Sequence, residues 1–139
     1  MEKLMKLDFR SLATLSAFLF LSLALIWMFA PDLPLSSWGV EFSPEVGLVA
    51  RRAAALYAGI GVMLFSARNA EPSPSRSALV AGLVVACLTL AALGSFELVA
   101  GHANRSILTA VLIEVALVLA FLYVERVPKR QLHSTITQG

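Results

Sequence analysis

The sequence predicts an all-α, polytopic membrane protein with four transmembrane helices in an up-down-up-down bundle, and three observations carry that expectation. Hydrophobic residues make up 58% of the chain and charged residues 14%, against about 45–50% and 25% in soluble domains. The apolar residues gather in four runs, Ser11 to Ala30, Val49 to Ala67, Ala78 to Phe96 and Ile107 to Val124, each close to the ~20 residues a helix needs to cross the hydrocarbon. Helix stop and start signals lie in the short connections, which favours antiparallel neighbours. A single domain over 1–139 follows, with spans at about 11–30, 44–67, 74–100 and 104–127 and a polar cytoplasmic tail at 128–139.

The first span has Asp8 as a candidate cap. Lys3, Lys6 and Arg10 precede it as they would a signal peptide, but its apolar core exceeds the ~7–15 residues of such a leader and no A-x-A-like site follows, so it reads as a retained span. The connection from Pro31 to Ser43 reads as external, with Trp38 and Phe42 suited to the membrane interface. Ser43-Pro44-Glu45 has the order of an N-cap, a first-turn proline and an acidic first turn, which starts the second span near Pro44. Ser73-Pro74 repeats that signal before the third span, and Gly101 offers its C-terminal stop. Asn104 can cap the fourth span, and Pro128 should keep it from running far into the tail.

Lys3, Lys6, Arg10, Arg68, Arg76, Arg126, Lys129 and Arg130 share one side, leaving Arg51, Arg52 and Arg105 on the other. The positive-inside bias therefore predicts a multi-pass cell-membrane protein with both termini in the cytoplasm. Span ends account for the basic residues, so the net charge of +2 does not point to nucleic acid. The single cysteine, Cys87, rules out an internal disulfide or a CxxC motif and reads as a small buried hydrophobe. Ala55-x-x-x-Gly59 and Gly82-x-x-x-Ala86 would let helices approach closely, within the bundle or in a homo-oligomer. Membrane lipids are the expected surroundings, and a membrane-complex partner is compatible with the small size.

Ionisable groups inside the spans are the candidates for function, because each costs on the order of 2.5–3.5 kcal/mol at a helix centre. Arg51 and Arg52 lie in the second span, and Glu97 and Glu114 are the acidic residues of the third and fourth. With a rise of 1.5 Å per residue, Arg52 lies ~12 Å and Glu114 ~15 Å from the starts of their helices, and Glu97 ~6 Å before the end of its own. All three fall in the outer half. Arg51 and Arg52 are about 100° apart around the helix. Arg52, on the stripe of Ala55 and Gly59, is the one expected to face Glu97 or Glu114, while Arg51 would snorkel or pair with Glu45. Tyr57 and Thr89 could extend the network.

Three readings of these charges compete. They can fix helix register as a buried ion pair. They can line a pocket for a small lipophilic or amphipathic ligand, built from Arg52, Arg51, Glu97, Glu114, Tyr57 and His102, with Arg52 contacting an anionic or carbonyl group. They can also support acid/base catalysis by Glu114 and Glu97, of the isomerase, ring-opening or cyclase type. His102 follows Gly101 in the external loop and reads first as a solvated histidine able to exchange protons. The only other histidine, His133, lies across the membrane, so no two-histidine metal site is expected; no P-loop, GxGxxG, HExxH or nucleophile elbow appears, and no cofactor is expected.

The helix count, the Ala58-Gly59-Ile60-Gly61 segment in the second span and Glu114 in the last resemble small bacterial four-helix membrane proteins of the DoxX-like type. Some such proteins look like membrane subunits associated with oxidoreductases. This chain carries no redox motif of its own, and the resemblance implies a four-helix fold and assigns no catalytic residue; the small size and the lack of a recognised catalytic motif make a structural or accessory subunit of a membrane complex the alternative to a ligand-binding protein.

Overall fold

A computed structural model describes the backbone of residues 8–138 and the side chains of residues 8–126. The described chain is helical without strands: α1 (Phe9–Phe29), α2 (Asp32–Ser37), α3 (Pro44–Ser66), α4 (Pro74–Val99) and α5 (Ile107–Gln138). Four of these are long and apolar enough to cross a membrane, α1, α3, α4 and the Ile107–Arg126 part of α5. Successive spans alternate in direction. One end of the bundle carries α2 and the α4–α5 loop; the other carries Arg76 and the start of α1.

Local chemistry sets the helix ends. Asp8 Oδ1 accepts from the Ser11 N–H at 2.8 Å and starts α1. Ser43 and Ser73 accept from the Val46 and Arg76 N–H groups at 3.2 Å, each ahead of a first-turn proline. At the end of α4, Gly101 adopts φ +83°, a left-handed conformation that favours glycine. The Gly101 N–H then donates to Leu98 O and the His102 N–H to Glu97 O, closing a Schellman turn.

Two elements differ from expectation. The connection between the first two spans contains α2, a single short helix whose Leu35 is buried. Pro128 does not end the last helix: α5 continues to Gln138. Proline removes one N–H from the ladder, a local loss that a helix can absorb with a kink.

Packing is uneven around the bundle. α1 lies along α3, α4 lies along α5, and α1 touches α5; α3 and α4, although consecutive, do not pack closely. Small residues decide this. A Cβ on Gly61 would come within 2.7 Å of Leu21 Cγ and 3.2 Å of the Ala17 carbonyl, so α1 approaches α3 closely at Gly61, one of the buried positions of α3. Ala55, Gly59 and Gly82 are exposed, and a Cβ on either glycine would meet open space. The two small-residue motifs therefore do not form the bundle's own close contacts.

The core lies toward the Arg76 end and includes Phe9, Phe20, Leu64, Leu83, Cys87 and Phe121. Cys87 is a buried free thiol among apolar neighbours. The buried ion pair of the bundle is here and is not the one expected. Arg76 Nε donates to Glu125 Oε1 at 2.5 Å, with side-chain exposures of 5% and 12%. The Ser77 hydroxyl donates to Glu125 Oε2 at 3.1 Å, and the Arg76 guanidinium donates to Ala70 O at 3.1 Å and sits 4.0 Å from the Phe9 ring centroid. One arginine thereby ties α1, the α3–α4 loop, α4 and α5 together.

Candidate functional site

Toward the α2 end the helices separate around a cavity of about 520 Å³, within the ~300–1,000 Å³ range of small-molecule pockets. α3 contributes Val46, Val49, Ala50, Ala53 and Tyr57; α4 contributes Leu90, Leu93, Gly94 and Glu97; α5 contributes Ile107, Ala110, Val111 and Glu114. The spacing on each helix is that of one face turned inward. Val49 and Leu93 line it yet stay 66% and 52% exposed, so the cavity opens sideways between α3 and α4, where the helices do not pack.

α2 closes the end. Leu35 and Trp38 line the cavity, and the Trp38 ring lies against Trp27 of α1 with centroids 5.4 Å apart. The Asn104 N–H donates to Trp38 O at 2.9 Å, which fastens this cover to the α4–α5 loop. Trp38 is thus a wall of the site, whereas Phe42 remains 52% exposed and free to meet the interface.

The polar groups are sparse and acidic. Glu97 sits at the end of α4, where its Oε2 lies 2.7 Å from Nδ1 of exposed His102, an ion pair when the histidine is protonated. Glu114 lies seven residues into α5, about 10 Å along the helix. Its Oε2 is shielded from solvent and has no hydrogen-bond partner among the described residues. Glu45 completes the acidic lining. Tyr57 also reaches the cavity, beside Phe20 with ring centroids 5.9 Å apart.

The cavity thus brings together Glu97, Glu114 and Tyr57, with His102 attached through Glu97. Arg52 does not join them. It is exposed, is absent from the cavity lining and makes no ion pair with Glu97 or Glu114. The reason lies in helical phase: Ala50 and Ala54 face inward, and Arg52, two residues from each, is turned about 160° away. Arg51 is exposed as well and does not pair with Glu45. The Thr89 hydroxyl donates to Val85 O within its own helix at 2.8 Å and stays outside the network.

The cavity also takes in Trp27 and Trp38, and Glu45 lines it rather than pairing with Arg51, none of which the sequence reading places in the site. The chain's only two tryptophans, set on either side of Pro31, are the sequence signal for the aromatic wall. Among the described residues no group of three His, Cys, Asp or Glu side chains is placed to hold a metal ion. No family model, curated protein or solved structure matches the chain, so its chemistry rests on this geometry.

Proposed function

We propose that this integral membrane protein binds a small lipophilic or amphipathic ligand in the cavity under α2. The observation that carries this reading is Glu114, an acid on the cavity wall whose Oε2 has no protein hydrogen-bond partner. A buried polar group left unpaired costs on the order of 1–3 kcal/mol, and a ligand to which the Glu114 carboxyl turns and hydrogen-bonds would offset that cost. The sideways opening gives a membrane-dissolved molecule a path that avoids water. The distribution of Lys and Arg supports cytoplasmic termini in the cell membrane. In that orientation the cavity serves the outer leaflet. A reporter fused to the C-terminus that works only in the cytoplasm should be active, and silence of an otherwise intact fusion contradicts the orientation.

Ligand occupancy is tested by native mass spectrometry of protein released from its own membrane. The wild type should carry an added small-molecule mass, and Ala110→Phe, which fills the cavity wall, should lose it. Bare protein in both samples would count against the reading. The same unpaired acid favours a second use of the cavity, with Glu114 exchanging a proton with the bound molecule as general acid or base. Under that reading Glu114→Gln abolishes turnover while abundance and fold persist; undiminished turnover removes Glu114 from the chemistry.

A further inference from the structure

The cavity's polar wall has one sign. Glu45, Glu97 and Glu114 line it, and among the described residues neither a lysine nor an arginine does. Arg51 and Arg52, the cations nearest in sequence on α3, are exposed and turned away from it. Such a wall repels carboxylates and phosphates and favours a cation. The aromatic rings of Trp27, Trp38 and Tyr57 add faces that attract an ammonium group. Glu97 already has His102 as a partner at 2.7 Å, whereas Glu114 has none for Oε2, which makes Glu114 the available counter-charge.

The apolar part continues beyond the cavity. A second depression of about 220 Å³ lies along the same α3–α4 seam, lined by Ile60, Met63 and Leu64 on α3 and Leu79, Gly82 and Leu83 on α4. On α3 the inward positions run from Ala53 and Tyr57 to Ile60 and Leu64, and on α4 from Leu90 back to Leu83 and Leu79, without a break in helical phase. From Leu90 to Leu79 the seam covers about 16 Å of helix rise. The two depressions lie one after the other along the same seam.

We infer that the ligand is a single-chain lipophilic amine, its ammonium group opposite Glu114 between Tyr57 and the tryptophans and its alkyl chain in the α3–α4 seam. This rests on the reading of the cavity as a ligand site. A phospholipid bearing an amino headgroup shares the ammonium but brings a phosphate, for which the cavity lining supplies no cation. A free amine fits better.

Both tryptophans of the chain line the cavity, so intrinsic emission reports its occupancy. The full-length protein in phosphatidylcholine nanodiscs is titrated with dodecylamine and with 1-dodecanol, equal in chain length and different in charge. Dodecylamine should shift the emission at a concentration about tenfold lower than dodecanol. Glu114→Gln should bring the two midpoints together by weakening the amine alone, and Arg52→Gln should leave both in place. Gly82→Phe, which fills the seam where a Cβ meets open space, should weaken dodecylamine and spare hexylamine. Exchange of phosphatidylcholine for phosphatidylethanolamine should not move the dodecylamine midpoint.

Equal midpoints for amine and alcohol in the wild type overturn the amine and leave a neutral lipophile in the cavity. No response to either overturns the cavity as a ligand site. Competition by phosphatidylethanolamine replaces the free amine with a lipid headgroup, and equal losses for both amines in Gly82→Phe remove the tail from the seam. If Glu114→Gln fails to fold, the wild-type ratio of amine to alcohol decides.

Discussion

Glu114 separates binding from stability at the residue scale. Because Oε2 has no protein partner, replacing the acid by an amide of the same shape breaks no native contact at that atom. Glu114→Gln should therefore hold or raise the thermal midpoint in detergent while it changes ligand occupancy. A clear fall in the midpoint would mean that the carboxylate holds the helices together. Asp8 is a contrasting acid, placed ahead of the first span. Hydrogen bonding from the Ser11 hydroxyl and then its backbone N–H holds the Asp8 carboxyl below the ordinary carboxylate range. Folding thus favours the ionised form, so the cap's contribution is full above the ordinary range and is lost as pH falls through the lowered value. Amide protection at Ser11 and Leu12 should fall with acidification in the wild type and lose that dependence in Asp8→Asn, which keeps an N-capping side chain. Protection that varies with pH equally in both proteins would dissociate the effect from Asp8.

Between helices, the strongest polar connection is Arg76 with Glu125. Removing one partner leaves a buried charge, so Arg76→Met or Glu125→Gln should destabilise by about 3–5 kcal/mol in reversible unfolding from detergent micelles. The double change Arg76→Met with Glu125→Leu should recover most of that loss, because well-packed apolar residues can replace a buried pair. A double variant no better than either single one would show that the hydrogen bonds to Ala70 and Ser77 matter more than charge balance. Glycine gives a second contrast on one helix. Gly61→Ala places a methyl 2.7 Å from Leu21 Cγ and against the Ala17 carbonyl, and should cost about 1–3 kcal/mol as overpacking. Gly59→Ala meets nothing within 4 Å and should hold or improve stability.

The elements were largely legible because their signals are local. Pro44 and Pro74 begin α3 and α4, and Gly101 ends α4, where the sequence places them. Neighbour choice was less legible. It depends on which small residue meets which side chain, and Gly61 rather than Gly59 receives α1. The buried pair is less legible for a related reason: Arg76 reads as a topological charge, and Glu125, although inside the expected span at 104–127, sits at its basic end, away from the outer-half charges.

Across the whole molecule, a dense core and ion-pair cluster at the Arg76 end support an open cavity at the α2 end. The cavity has rigid helices for walls and a short helix fastened by one backbone hydrogen bond for a cover, an arrangement in which a ligand can bind without disturbing the core. Of the expected site, Glu97, Glu114 and Tyr57 meet at the cavity, since each falls on an inward phase of its helix. The arginines do not, because charge content alone does not fix helical phase. Density for the protein in nanodiscs of native lipid bears most directly on the ligand site. Non-protein density between Tyr57 and Glu114, continuing toward the α3–α4 seam, is the expected result; a closed, dry end with Trp27 and Trp38 collapsed onto Glu114 would contradict it.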